Sequence, residues 1–162
     1  MENPERLAAV LRSSGDPENP KPDEMRELIR RVDTIAVVGM SRDPMKAARR
    51  VPSYLAAMGA QIIPINPLAG RMVGKPARKS LEDVAEPMDM VLIFRPSAQV
   101  APFVRAAAAR PEKPIIWLPE GVRDDEAAAE ARAAGRTVVQ NLCIYRVHRA
   151  LGGTLRRAFE SS

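Results

Sequence analysis

Thiols and imidazoles are nearly missing from this sequence: its 162 residues include one cysteine, Cys143, and one histidine, His148. A single thiol excludes an intramolecular disulfide framework and any zinc site built on several thiolates. A single imidazole excludes the usual histidine-rich metal centres, so no metal is expected. Aromatic side chains are also scarce, with one Trp, two Tyr and three Phe, mostly at core-like positions. That leaves little for stacking on bases and disfavours a nucleic-acid partner. No apolar run approaches membrane-spanning length, so no membrane segment is expected. Residues 1–12 lack the apolar stretch of a signal peptide, and Glu2 and Glu5 weigh against an acid-poor transit peptide. The expected address is the cytoplasm.

What is present suits one folded domain of ordinary size. Hydrophobic residues make up 46% of the chain, yet 25 of them are alanine, which implies a thin-walled, closely packed core. The formal net charge is +5, and its distribution is uneven. Between residues 40 and 80 stand eight basic residues, Arg42, Lys46, Arg49, Arg50, Arg71, Lys75, Arg78 and Lys79, against the single acid Asp43. The first 33 residues carry a small acidic excess instead. Such a one-sided cluster points to a polyanionic partner, or else is a solvated basic face.

Five short apolar runs recur along the chain, at 34–38, 61–65, 90–94, 115–118 and 137–139. Most are continuous rather than alternating, as strands buried on both faces of a parallel sheet should be. Alanine-rich segments of helical character separate them, at 47–58, 98–110 and 124–134, each ending at a breaker, Gly59, Pro111 or Gly135. Ser80 followed by Asp83 resembles a capping box that opens a short helix. Pro52 and Pro102 suggest that their helices start later than the apolar pattern implies. Two small amphipathic helices, 4–12 and 23–31, are expected ahead of the first strand, and a basic helical tail after the last.

This alternation implies a three-layer α/β sandwich with a five-stranded parallel sheet, for which right-handed crossovers give strand order 3-2-1-4-5. Its topological switch lies beside the first strand, and ligands of open α/β sheets bind at the carboxyl ends of the strands there. Four segments should therefore face a ligand: 39–46, 66–73, 94–98 and 118–123.

The first, Val38-Gly39-Met40-Ser41-Arg42-Asp43-Pro44, runs from a strand into a helix. That is where a phosphate-cradling loop sits, with Gly39 allowing close backbone approach and the next helix offering free amides. It is neither G-x-G-x-x-G nor a P-loop, and Gly39 could serve only a tight turn. After the second strand, Asn66-Pro67 stands where nicotinamide dinucleotide enzymes place an acid for the ribose hydroxyls. An uncharged Asn66 with Arg71 close behind would tolerate a phosphorylated ribose, or the pair is simply an Asn-Pro turn. Phe94-Arg95-Pro96-Ser97 offers an apolar wall, a cation and a hydroxyl, and Trp117-Leu118-Pro119-Glu120-Gly121 ends in another glycine turn. Trp117 reads as core. No nucleophile–base pair is evident, and Cys143 with His148 reads as a buried cysteine and a surface histidine.

The series Ile35-Ala36-Val37-Val38-Gly39-Met40-Ser41, then Val51-Pro52-Ser53-Tyr54-Leu55, Gly59 and Ile63-Pro64-Ile65-Asn66-Pro67 resembles the small bacterial and archaeal CoA-binding proteins. Phe94-Arg95-Pro96, Trp117-Leu118, Gly121, Ala134-Gly135, Val138-Val139 and Cys143 with His148 continue it, so the likeness covers about residues 24–151. The domain is also similar to the CoA-binding N-terminal domain of the succinyl-CoA synthetase α subunit. The sequence departs from the family pattern at Pro119-Glu120, Asn141-Leu142 and Val147.

The resemblance implies a Rossmann-like domain over 34–151, flanked by a helical extension at 1–33 and a tail at 152–162, with coenzyme A at the strand ends. It places Gly39, Ser41 and Arg42 at the pyrophosphate, and Asn66, Pro67 and Arg71 by the phosphorylated ribose. Phe94, Arg95 and Ser97 fall by the adenine or pantetheine arm, and Met40, Lys46, Pro96 and Pro119 complete the candidate set. The reading that follows is a single-domain protein binding CoA or acyl-CoA with no evident catalytic machinery. The alternative is an NADP-binding oxidoreductase or redox sensor, whose phosphorylated ribose suits the same cations. Whether the protein is an enzyme stays open, with the absence of a catalytic group weighing against it. The N-terminal helices and basic tail could support a homodimer.

Overall fold

The computed structural model describes residues 1–68 and 70–153. In chain order the elements begin with α1 (Pro4–Arg12), α2 (Pro22–Arg30), β1 (Thr34–Val38), α3 (Ala47–Ala57) and β2 (Gln61–Ile65). A two-stranded ribbon, β3 (Arg71–Met72) and β4 (Lys75–Pro76), and a 3₁₀ turn at Leu81–Asp83 lead to β5 (Met90–Ile93). A second 3₁₀ turn at Ser97–Gln99 precedes α4 (Ala101–Ala108), followed by β6 (Ile115–Trp117), α5 (Asp125–Ala133), β7 (Val138–Val139) and α6 (Ile144–Ala150).

The apolar runs are continuous because β1 is covered on both faces. Ile35 and Val37 pack with α1, α2, α3 and α6, while Ala36 and Val38 pack with the Leu81 turn, α4 and α5. The N-terminal helices share that first core through Leu7, Val10, Met25, Leu28 and Ile29. Helix starts follow local chemistry. Asn3 accepts the Arg6 N–H at 3.0 Å ahead of Pro4, and Asp124 accepts the Ala127 N–H at 3.0 Å. At 80–83 the capping-box pair yields a single 3₁₀ turn, Ser80 donating to the Asp83 carboxylate at 3.0 Å. Trp117 is fully buried and donates its indole N–H to the Leu142 carbonyl at 2.8 Å.

All five main strands are parallel, as expected, in a Rossmann-like three-layer arrangement. Their order differs from 3-2-1-4-5. It is β2-β1-β5-β6-β7, which in the numbering of the five apolar runs is 2-1-3-4-5. The cause is the connection between β2 and β5. Leu81 and Val84 pack on the face opposite α3. A right-handed crossover on the opposite face moves the chain back across the sheet, so β5 lands on the far side of β1. The Asp89 carboxylate fixes that placement by accepting the Asp33 and Thr34 N–H groups at 2.9 and 2.8 Å. Pro64 agrees with the new position of β2, because proline belongs on an edge strand. Its carbonyl accepts the Arg78 N–H on the outer margin at 2.9 Å, so its missing N–H costs the β1 ladder nothing. The switch point remains beside β1, now between β1 and β5.

Helix α4 starts at Ala101 with Pro102 in its first turn, as anticipated. Helix α3 does not start late: it runs from Ala47 straight through a buried Pro52. The carbonyl that Pro52 cannot serve, that of Ala48, accepts the N–H of Ser41 at 3.1 Å instead. Beyond Gly153, the expected basic tail lies outside the described residues.

Candidate functional site

A cleft of about 390 Å³ opens at the carboxyl ends of β1, β5 and β6. Ala47, Ala48 and Val51 of α3 form one side, and Phe94, Arg95 and Pro96 after β5 form the back. Pro119, Glu120 and Val122 after β6 form the opposite wall, and Cys143 and Ile144 at the start of α6 close the end. Its lining is apolar apart from Arg95, Glu120 and the Cys143 thiol. The volume falls within the roughly 300–1,000 Å³ of small-molecule sites.

Gly39 ends β1 with φ +76°. A Cβ built there would stand 2.2 Å from the Phe94 carbonyl oxygen. The glycine is thus required first by the close crossing of the chain under Phe94. Met40 is buried, so its side chain belongs to the core. Ser41 uses its N–H on Ala48 and its hydroxyl oxygen to accept the Asp43 N–H at 3.0 Å. The N–H is therefore engaged, while the hydroxyl keeps its own proton to donate. Ala47 and Ala48, whose first-turn amides have no acceptor inside the helix, line the cleft. Arg42 and Lys46 are exposed at the loop and form no ion pair among the described residues.

Asn66 is a brace between two loops. Its Nδ2 donates to the Met40 carbonyl at 3.3 Å, and its Oδ1 accepts the Leu68 N–H at 2.8 Å. Pro67 and Arg71 are exposed outside the cleft lining, and the Arg71 guanidinium donates to the Gly74 carbonyl at 2.8 Å in the β3–β4 hairpin. The basic block divides here. Arg78 pairs through both terminal guanidinium nitrogens with Glu86, at 2.6 and 2.9 Å. The pairing raises the Arg78 pKa and holds the Glu86 carboxyl down at about 2. A carboxylate from outside the block therefore neutralises one of its cations. Lys75 and Arg78 line a separate depression along β2, away from the cleft.

Phe94 is half-buried at the back of the cleft and Arg95 is exposed, donating to the Gln99 carboxamide. Ser97 ties two loops: its hydroxyl donates to the Gly121 carbonyl at 3.4 Å and accepts the Arg123 N–H at 3.0 Å. Pro119 is buried in the opposite wall.

Residues 33–149 match the family model described as a CoA binding domain. The chain belongs to this family. The chain is 34% identical over 131 residues to the uncharacterized protein YneT of Bacillus subtilis, covering 81% of this chain and 96% of that one. Among solved structures it is similar to a protein of Thermus thermophilus, at 32% identity and a TM-score of 0.74, covering 80% of this chain and 98% of that one. A hypothetical protein from Pyrococcus horikoshii gives 27% identity and a TM-score of 0.78, covering 85% and 96%.

Within this CoA binding domain the structure brings Phe94, Arg95, Pro96 and Pro119 together in the cleft, with Ser41, Arg42 and Lys46 in the loop that enters α3. Asn66, Pro67 and Arg71 stand to the β2 side. The residues that sequence reasoning missed are Ala47, Ala48, Val51, Cys143 and Ile144, whereas Glu120 and Val122 fall in the expected segment 118–123. The rule that ligands meet strand ends would have supplied Cys143 and Ile144, because segment 140–144 follows β7 just as the four chosen segments follow their strands.

The expected burial of the C-terminal pair is reversed. Cys143 is only half-buried and lines the cleft, whereas His148 is fully buried under α3. His148 Nδ1 lies 2.6 Å from the Tyr54 hydroxyl, and Nε2 has no partner among the described residues. Burial, and then the neighbouring Arg149, push the His148 pKa down to about 4, so the ring is neutral. Burial raises the Tyr54 pKa. Among the described residues no group of three His, Cys, Asp or Glu side chains is placed to hold a metal, and no helix is long and apolar enough to cross a membrane.

Proposed function

We propose that this protein binds coenzyme A or an acyl-CoA across the carboxyl ends of β1, β5 and β6. The observation that carries the reading is the division of the site: an apolar cleft ending at Cys143, and unpaired cations at the loop entering α3. The pantetheine arm and its thiol or acyl end fill the cleft between Val51, Phe94, Pro96 and Pro119. The phosphates lie toward Arg42, Lys46 and the first-turn amides of α3, where positive charge and free N–H groups coincide. The cleft holds one carboxylate, Glu120, and no histidine, which supports binding without group transfer by this chain.

Calorimetric titration with CoA, dephospho-CoA, NADPH and an oligonucleotide in one buffer tests the reading. Tight binding of CoA alone or with dephospho-CoA is expected. Preferential binding of NADPH would replace the reading with a nicotinamide dinucleotide site, and preferential binding of the oligonucleotide would move function to the basic surface.

A further inference from the structure

The loop between α1 and α2 reaches the cleft through a chain of polar groups that is buried at Ser14, Asn19 and Gln140 and ends at the half-buried Asn141. Ser14 and Asn19 are 1% and 5% exposed. Asn19 donates through Nδ2 to the Gln140 carbonyl at 2.8 Å and accepts the Gln140 N–H at 2.9 Å. The Ser14 carbonyl accepts from Nδ2 of Asn141 at 2.8 Å. Oδ1 of the same Asn141 accepts the Gly121 N–H at 2.7 Å, and the Asn141 backbone N–H donates to the Val122 carbonyl at 3.1 Å. One carboxamide therefore joins the N-terminal loop to the turn that forms the cleft's Pro119–Glu120 wall.

We propose that Asn141 is a positioning residue that sets this wall, with the 14–19 loop as its outer anchor. The inference deepens the CoA reading and rests on it. The backbone supports the assignment. Asn141 holds φ +54°, a left-handed conformation that asparagine tolerates better than most side chains. Gly121 holds φ +85°, so the wall turns at a flexible residue and needs external bonds to stay in one place. Ser97 supplies such a bond from the β5 side, and Asn141 supplies it from the β7 side. An aspartate could accept from Gly121 but could not donate to Ser14, so in that variant the Ser14 carbonyl would keep only the longer 3.4 Å bond from Arg123. Residues 1–32 lie outside the span that the family model matches.

Two variants of the full chain separate the parts. Asn141→Gly keeps the left-handed backbone and deletes both side-chain bonds; Asn141→Asp keeps the acceptor for Gly121 and deletes the donor to Ser14. Amide hydrogen exchange is read by NMR, and affinity is titrated with CoA and with adenosine 3′,5′-bisphosphate, which lacks the pantetheine arm. In Asn141→Gly the Gly121 amide should exchange roughly tenfold faster while β1 and β5 keep their protection. Its CoA affinity should fall about five- to tenfold with the bisphosphate affinity unchanged. In Asn141→Asp, Gly121 should stay protected while the Gln140 amide loosens. Wild-type exchange at Gly121 in Asn141→Gly, or an equal loss for CoA and the bisphosphate, would overturn the proposal. If the natural chain binds no CoA, the parent reading fails, and the exchange measurement still decides whether Asn141 holds the turn.

Discussion

Ser41 is held to α3 because Pro52 has no N–H to give. In an unbroken helix residue 52 would donate to the Ala48 carbonyl; here that carbonyl receives the Ser41 N–H at 3.1 Å. A helix proline, ordinarily a defect, thus fixes the loop that carries Arg42 and Lys46.

Pro52→Ala should restore the helical donor and release Ser41. The Ser41 amide is then expected to exchange about tenfold faster, while unfolding shifts little or upward because proline in a helix interior costs about 3 kcal/mol. Unchanged exchange at Ser41 would mean that the loop is held by its other contacts.

Gly39→Val should compromise the fold itself as well as ligand binding. Its Cβ would meet the Phe94 carbonyl, and the left-handed backbone alone costs about 1–2 kcal/mol for a residue with a Cβ. Urea unfolding should show a loss of unfolding free energy larger than that backbone cost, and a variant as stable as the natural chain contradicts the crossing described.

The cations should differ in their effect on CoA. Arg42→Ala or Lys46→Ala should each weaken binding roughly ten- to a hundredfold, the worth of one charge-assisted contact, with unfolding unchanged. Arg78→Ala should leave affinity as it was, because Glu86 already occupies that guanidinium. Titration at rising salt should weaken CoA binding gradually. Equal losses at Arg42 and Arg78 would show a diffuse field rather than located contacts.

His148 should make stability depend on pH. Its folded pKa of about 4 lies below the usual 6.5, so the unfolded chain binds the extra proton between these values. Stability from this group is fully present above about pH 6.5 and is lost as pH falls toward 4, by up to about 3 kcal/mol. Chemical denaturation across that window should show the decline, and His148→Asn should flatten it. An equal slope in the variant would assign the decline to other groups.

The alternation of strands and helices was legible because both faces of each strand are covered, which turns alternating patterns into continuous apolar runs. Strand order was not, since the chain between β2 and β5 crosses without an α-helix and its side of the sheet depends on where Leu81 and Val84 pack. Pro64 was the available signal, marking β2 as an edge. In the cleft, Phe94 to Pro96 and Pro119 were legible from their places after strands, whereas Gly39 stands at the crossing under Phe94. The fifth strand end, with Cys143, follows the same rule but stands next to a two-residue strand. The burial of His148 depends on α6 docking against Tyr54, a contact across 94 residues that no local pattern encodes.

The bonds that Arg78 makes beside β2 also bear on how the molecule avoids its own kind. Arg78 donates its N–H to Pro64 and accepts that of Asn66, occupying the last outward positions of the strand. The opposite margin is β7, only two residues long. An exposed sheet edge invites a foreign strand to add to it. Here the crossing segment occupies the carboxyl end of one border and the other border is two residues long, so each offers a foreign strand only a short template.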